Sequence, residues 1–267
     1  MKYIPLLRMT FVAVLLSFSQ WVSAHEFWIV AHDAETKTDQ KVLFEVRTGS
    51  GWPGEQTARI TNLIDTFKAW DQQGEYEVAG HDGTLVFGHI NPRISGATIV
   101  SLRTNPAQLS LPADEFEQYL EEEGLTKIIQ TRADNGESSL PDLEYFSRAA
   151  KSLIIVDGKS AGFDHKMGLP LELIPHTDPV TYHANQPFKL QLLSNGSPLA
   201  DTQIKAQTKS HPDILLVART DKDGNVEFQL PNSGDWVFSA VDMARADIPD
   251  VDWQSIWASL SLKISQK

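Results

Sequence analysis

The chain has 267 residues with 23 Lys and Arg against 35 Asp and Glu, a formal net charge of −12, and no cysteine. An acidic balance of this size argues against nucleic acid and anionic membrane as partners and is compatible with gathering cations. Without thiols there are no disulfides and no soft Cys-based zinc or iron–sulfur sites, so stability rests on apolar cores and any metal site uses His, carboxylate or amine ligands.

Lys2 and Arg8, the apolar run Phe11–Leu16 and the small-x-small triplet Val22-Ser23-Ala24 follow the order of a secretory signal peptide cleaved after Ala24. The apolar run is too short for a membrane span, which needs about 20 residues. The expected mature chain is therefore a periplasmic protein that begins with His25. A free α-amine and an imidazole on one residue close a six-membered chelate ring around a transition metal. With reference pKa values near 7.7–8.0 and 6.5, both nitrogens are available at neutral pH.

Phe27–His32 and Val42–Val46 read as strands, and Gly49-Ser50-Gly51-Trp52-Pro53-Gly54 as a loop. Further strands are expected at Phe67–Trp70, Thr84–Phe87 and Gly96–Leu102. Pro112, Asp114 and Glu115 mark a helix start, Phe116, Tyr119 and Leu120 give it one apolar stripe, and Gly124 stops it. Glu121-Glu122-Glu123 reads as a solvated helix face. A second helix is expected near 141–150, with Leu143, Phe146 and Ala150 on one side. Ser152–Val156 then reads as a buried strand.

A proline-rich connector around Pro170, Pro175, Pro179 and Pro187 places a domain boundary near Pro175–Asp178. Beyond it, short strands alternate with turn signals: Phe188–Leu193 meets the hairpin signal Asn195-Gly196 and is answered by Thr202–Gln207, followed by Ile214–Thr220, Val226–Leu230, Trp236–Val241 and Ser259–Ile264. The fold class is mainly β. The expected architecture is two β-sandwich-like domains, 25–175 with a short helical insertion and 176–267 immunoglobulin- or transthyretin-like.

Asp221-x-Asp223-x-Asn225 resembles the start of a calcium loop but has Val226 where the sharp turn needs Gly, so it reads as a β-turn. No H-E-x-x-H, G-x-S-x-G or phosphate-cradling glycine motif is present, so the chain reads as a non-enzyme. His32 lies seven residues beyond His25, which puts the two on opposite faces of a regular strand.

Ala24-His25-Glu26-Phe27-Trp28-Ile29 resembles the opening of a bacterial periplasmic family, long described only as a domain of unknown function, that is linked to nickel/cobalt uptake transporters. The resemblance continues through Gly51-Trp52-Pro53-Gly54-Glu55, Tyr145-x-Ser147-Arg148 and Gly168-Leu169-Pro170-Leu171-Glu172. It ends in Asp252-Trp253-x-Ser255-x-Trp257. It implies a divalent metal, nickel or cobalt ahead of copper or zinc, captured for components of an inner-membrane transporter. It also implies His25 as the first ligand. Relatives carry a His-Met pair after the Gly-x-Trp strand; here the pair is Asp242-Met243, so Asp242 is the second candidate and His32 a third. Two other classes compete with metal capture: a non-catalytic adhesion or assembly sandwich, and a copper mono-oxygenase built on a histidine brace.

Overall fold

The computed structural model describes residues 25–183 and 186–265. The export signal expected at 1–24 lies outside the described residues. The chain opens with strands Glu26–Ala31 (β1), Glu35–Thr36 (β2), Val42–Gly49 (β3) and Glu55–Thr57 (β4). Ile64–Asp71 (β5), Gly74–Glu77 (β6), Gly88–Ile90 (β7), Gly96–Thr104 (β8) and Ala107–Leu111 (β9) follow. Two helices, Ala113–Glu122 (α1) and Thr126–Asp134 (α2), precede the long strand Asp142–Val156 (β10). Then come Leu171–Pro175 (β11), Phe188–Ser194 (β12), Ser197–Pro198 (β13), Gln203–Thr208 (β14) and His211–Arg219 (β15). Asn225–Phe228 (β16), Gly234–Arg245 (β17) and Trp253–Ile264 (β18) complete the described chain.

These strands form three sheets. Ten of them build one sheet in the order β15-β14-β17-β18-β10-β8-β5-β6, with β2 and β9 also paired to β10. A small sheet, β1-β3-β4 with β7 on β3, packs on the β5–β8–β10 part through Phe27, Ile29, Phe44, Phe67, Val100 and Ile154. Another, β11-β12-β13 with β16 on β12, packs on β14, β17 and β18 through Leu173, Phe188, Leu190, Ile204, Phe238 and Leu260. The second of these sandwiches is the immunoglobulin-like one. Each fully buried side chain of this kind contributes about 1.5–3 kcal/mol, which is how a chain without disulfides is stabilised.

The spine of the molecule is the ladder between β10 and β18, parallel from Glu144↔Trp253 to Ser152↔Ser261. β18 is also paired antiparallel with β17 over its whole length. Strand alternation sends Ala258, Leu260 and Leu262 into the immunoglobulin-like core and Trp253, Ser255, Trp257, Ser259 and Ser261 to the other face. The boundary expected near Pro175 falls just after β11, which pairs with β12 beyond it, and the β10–β18 ladder runs across it.

Three expected elements are corrected. The helix near 141–150 is instead the first half of β10, in which Asp142, Glu144 and Phe146 alternate as buried residues. The second helix is α2, upstream at Thr126–Asp134. Thr84–Phe87 is a loop: the Thr84 hydroxyl donates to the His81 and Val86 carbonyls, a local bonding pattern that competes with a ladder. Asn195-Gly196 makes its predicted turn, with φ of 48° and 79°, but returns into β13; Gln203–Thr208 lies in the other sheet, paired to β15 and β17.

Candidate functional site

β1 is rooted on both edges. One edge pairs with β3 from Glu26↔Gly49 to Ala31↔Phe44. On the other, the Ser259 hydroxyl donates to the Phe27 carbonyl at 2.7 Å and the Ser261 hydroxyl donates to the Ile29 carbonyl. Glu26, Phe27, Trp28 and Ile29 are all buried, while His25, immediately before them, is partly exposed. The residue after the expected cleavage site is thus anchored to the sheet rather than frayed.

Glu26 points at β14. Its Oε1 lies 3.3 Å from Lys205 Nζ, and Lys205 donates at 2.7 Å to Oε1 of Glu123 at the end of α1. Lys205 pairs across the ladder with Ser239, and Glu26 and Ser239 line a small interior cavity with Trp28, Trp52 and Gln207. Burial raises the Glu26 carboxyl against the pull of Lys205. Burial pushes Glu123 up to about 7, with Lys205 opposing and Glu26 adding to the rise. Burial works against the Lys205 charge, but Glu123 and Glu26 outweigh it and leave the ammonium raised. Two carboxylates sharing one ammonium leave an uncompensated negative charge beside His25 when both are ionised.

A third buried acid adjoins this triad through Tyr119. The Tyr119 hydroxyl donates at 3.2 Å to Glu144 Oε1, which also accepts from Ser255, and the phenol ring stacks on Trp257 with centroids 5.7 Å apart. Burial pushes Glu144 up to about 7, although Ser255, Tyr119 and Arg148 favour its ionised form. The Tyr119 hydroxyl is driven well above its ordinary value by burial and then by Glu144 and Glu123. Arg148 lies over Phe146 at 4.6 Å and Phe27 at 5.2 Å, and burial lowers it to about 10 against the pull of Glu144.

The three predicted ligands are not brought together. His32, at the far end of β1, has Nε2 at 2.6 Å from Glu45 Oε1, and the other Glu45 oxygen accepts from Arg47. Asp242 points to the face of β17 opposite Ser239 and accepts from the Ser194 hydroxyl at 3.3 Å; burial raises its carboxyl. Asp242 and Glu123 do line one cleft of about 80 Å³ at the α1–α2 turn, with Lys127, Asp201 and Arg219. No three His, Asp or Glu side chains converge as a ready metal cage among the described residues.

Sequence reasoning missed Glu26, Glu123, Lys205, Tyr119 and Glu144. Only Glu121 and Glu122 of the acidic run are solvated; Glu123, with its side chain 11% exposed, turns under the helix to Lys205. The available signal was Gly124, which in its left-handed conformation (φ 66°) turns the chain directly after Glu123, and at which a Cβ would meet Gln203 Oε1 at 2.5 Å.

A family model described as a domain of unknown function (DUF4198) matches residues 22–244. The chain belongs to the DUF4198 family. That membership carries no activity with it. No curated protein matches this DUF4198 chain. Among solved structures it is similar to the D0-D1 domain of intimin at 12% identity, over 89% of this chain and 97% of that one, with a TM-score of 0.23. It is also similar to a tetra-tandem repeat in the extending region of a large adhesion protein, at 12% identity, over 91% of this chain and 50% of that one, again with a TM-score of 0.23. At these scores neither likeness bears on function.

Proposed function

We propose that the mature DUF4198 chain is a non-catalytic periplasmic protein that binds a divalent transition metal at His25. Nickel or cobalt is favoured over copper or zinc, and the metal is passed to an inner-membrane uptake transporter. The observation that carries this reading is the excess of acid at the root of β1, where Glu26 and Glu123 share Lys205 and a net negative charge develops as Glu123 ionises through about 7. A terminal amine and imidazole supply two nitrogen ligands, and the neighbouring negative charge favours a dication over a neutral ligand. Anchoring of β1 by Ser259 and Ser261 lowers the ordering cost of the chelate. Of the other sequence candidates, Asp242 shares a cleft with Glu123, whereas His32 is engaged by Glu45.

The test is calorimetric titration of nickel and cobalt into the chain beginning at His25 and into the same chain with one extra N-terminal residue. The extended chain is expected to bind at least tenfold more weakly, and equal affinity rejects the chelate. Affinity is also expected to fall as pH drops through about 8 to 6, because amine and imidazole must lose protons to ligate.

A further inference from the structure

The ten-stranded sheet has two ends of very different character. At one end, β6 is a short strand, Gly74-Glu75-Tyr76-Glu77, with both glutamates exposed. Short length and charge are the usual protection of a free edge. At the other end stands β15, nine residues long, whose hydrogen-bonded neighbour among the described residues is β14 alone. Leu216 and Ala218 pack on the immunoglobulin-like core, and Leu215 and Val217, on the opposite face, are each 50% exposed. A free strand edge beside exposed aliphatic side chains is a template for another strand.

The residue order on that exposed face selects the strand that fits. It reads Asp213, Leu215, Val217, Arg219: an acid, two aliphatics and a base. Turned through 180° about Leu216, the pattern is complementary to itself. Leu215 then faces Val217, and that pair occurs twice; Asp213, in the irregular segment before Leu215, lies toward Arg219 of the second copy. Asp213 makes no ion pair among the described residues, and Arg219, now held by Asp201, is left 36% exposed at its side chain. Local charge balance matters because the chain as a whole carries −12 and repels a second copy elsewhere on its surface.

We propose that β15 pairs antiparallel with β15 of a second copy about a two-fold axis at Leu216, continuing the large sheet from one molecule into the next. Two-fold closure uses up the β15 edge of both copies, and the β6 edge that each retains is short and charged, so the product is a dimer and not a fibre. The β14–β15 register shifts after Gln207, where Leu215 follows His211 in the pairing, and Pro212 lies within that bulge. The irregular segment limits the shared ladder to a few residues, which makes the dimer reversible.

The test uses the whole mature chain in sedimentation velocity from micromolar to millimolar concentration. The wild type is expected to shift toward twice the chain mass. Val217→Lys is expected to stay monomeric with an unchanged far-UV spectrum and melting temperature. Because the chain has no cysteine, register is tested by oxidative trapping. A mixture of Leu215→Cys and Val217→Cys chains is expected to cross-link, and neither variant alone. A monomer at every concentration, or cross-linking by one variant alone, overturns the proposal.

Discussion

Replacing Lys205 by methionine leaves Glu26 and Glu123 buried without their shared cation. Removing one partner of a buried ionic group costs about 3–5 kcal/mol, because the remaining charge is desolvated and unpaired. Glu123 sits at about 7, so at pH 5 it is protonated and the loss is expected to be smaller than at pH 8. Urea unfolding of wild type and Lys205→Met at both pH values measures this. Glu144 makes a separate pH claim. Its folded carboxyl is raised from the ordinary 4.5 to about 7, so between those values the native chain holds a proton that the unfolded chain has lost. Stability from this group is therefore greatest below about 4.5 and falls as pH rises through about 7. In Glu144→Gln the amide does not titrate, and the loss of stability from pH 5 to pH 8 is expected to shrink by an amount on the order of 1 kcal/mol or more.

At the scale of elements, β1 gives the most direct test. Ser259 and Ser261 donate to the Phe27 and Ile29 carbonyls of β1, and leaving a buried acceptor unsatisfied costs about 1–3 kcal/mol. Ser259→Ala with Ser261→Ala is expected to raise amide exchange in β1 and β3 more than in β17, which keeps its own ladders; hydrogen exchange reads this strand by strand. The same scale explains what was legible in the sequence. Most of the strands, the turn at Asn195-Gly196 and α1 follow from alternation, turn chemistry and an apolar stripe. β10 did not, because its buried face begins with two acids. Asp142 is held by the buried Arg132 and by the Trp253 indole, Glu144 by Ser255 and Tyr119. With those positions polar, the period of two vanishes and Leu143, Phe146 and Ala150 mimic a helix. α2 was hidden for the matching reason: Arg132 stands where an apolar residue one turn after Ile128 would have completed the stripe. His25 stands out in the sequence only through the cleavage expected after Ala24, which lies outside the described residues. Lys205 and Glu123, far apart in sequence, meet because the C-terminal end of α1 reaches β14, where Gln203 also donates to the Glu122 carbonyl.

Across the whole molecule, the β10–β18 ladder decides how the chain unfolds. Nine residue pairs join a strand that precedes the proline-rich connector to the last strand among the described residues. Successive residues 149–152 of β10 and 257–261 of β18 are buried on both faces, so separating these two strands exposes backbone and apolar surface in both halves at once. Ser259 and Ser261, near the C-terminus, also close the edge of β1 near the N-terminus. A molecule held together in this way is expected to melt in a single calorimetric transition, with van't Hoff and measured enthalpies equal. The fragment 25–175 expressed alone lacks β18 and leaves β10 with a bare edge along Glu144–Ser152. It is expected to show exposed apolar surface by dye binding and rapid proteolysis, while the intact mature chain resists both. Two separated transitions in the intact chain, or a protease-resistant fragment, would show that the two sandwiches fold independently and that the ladder joins finished units.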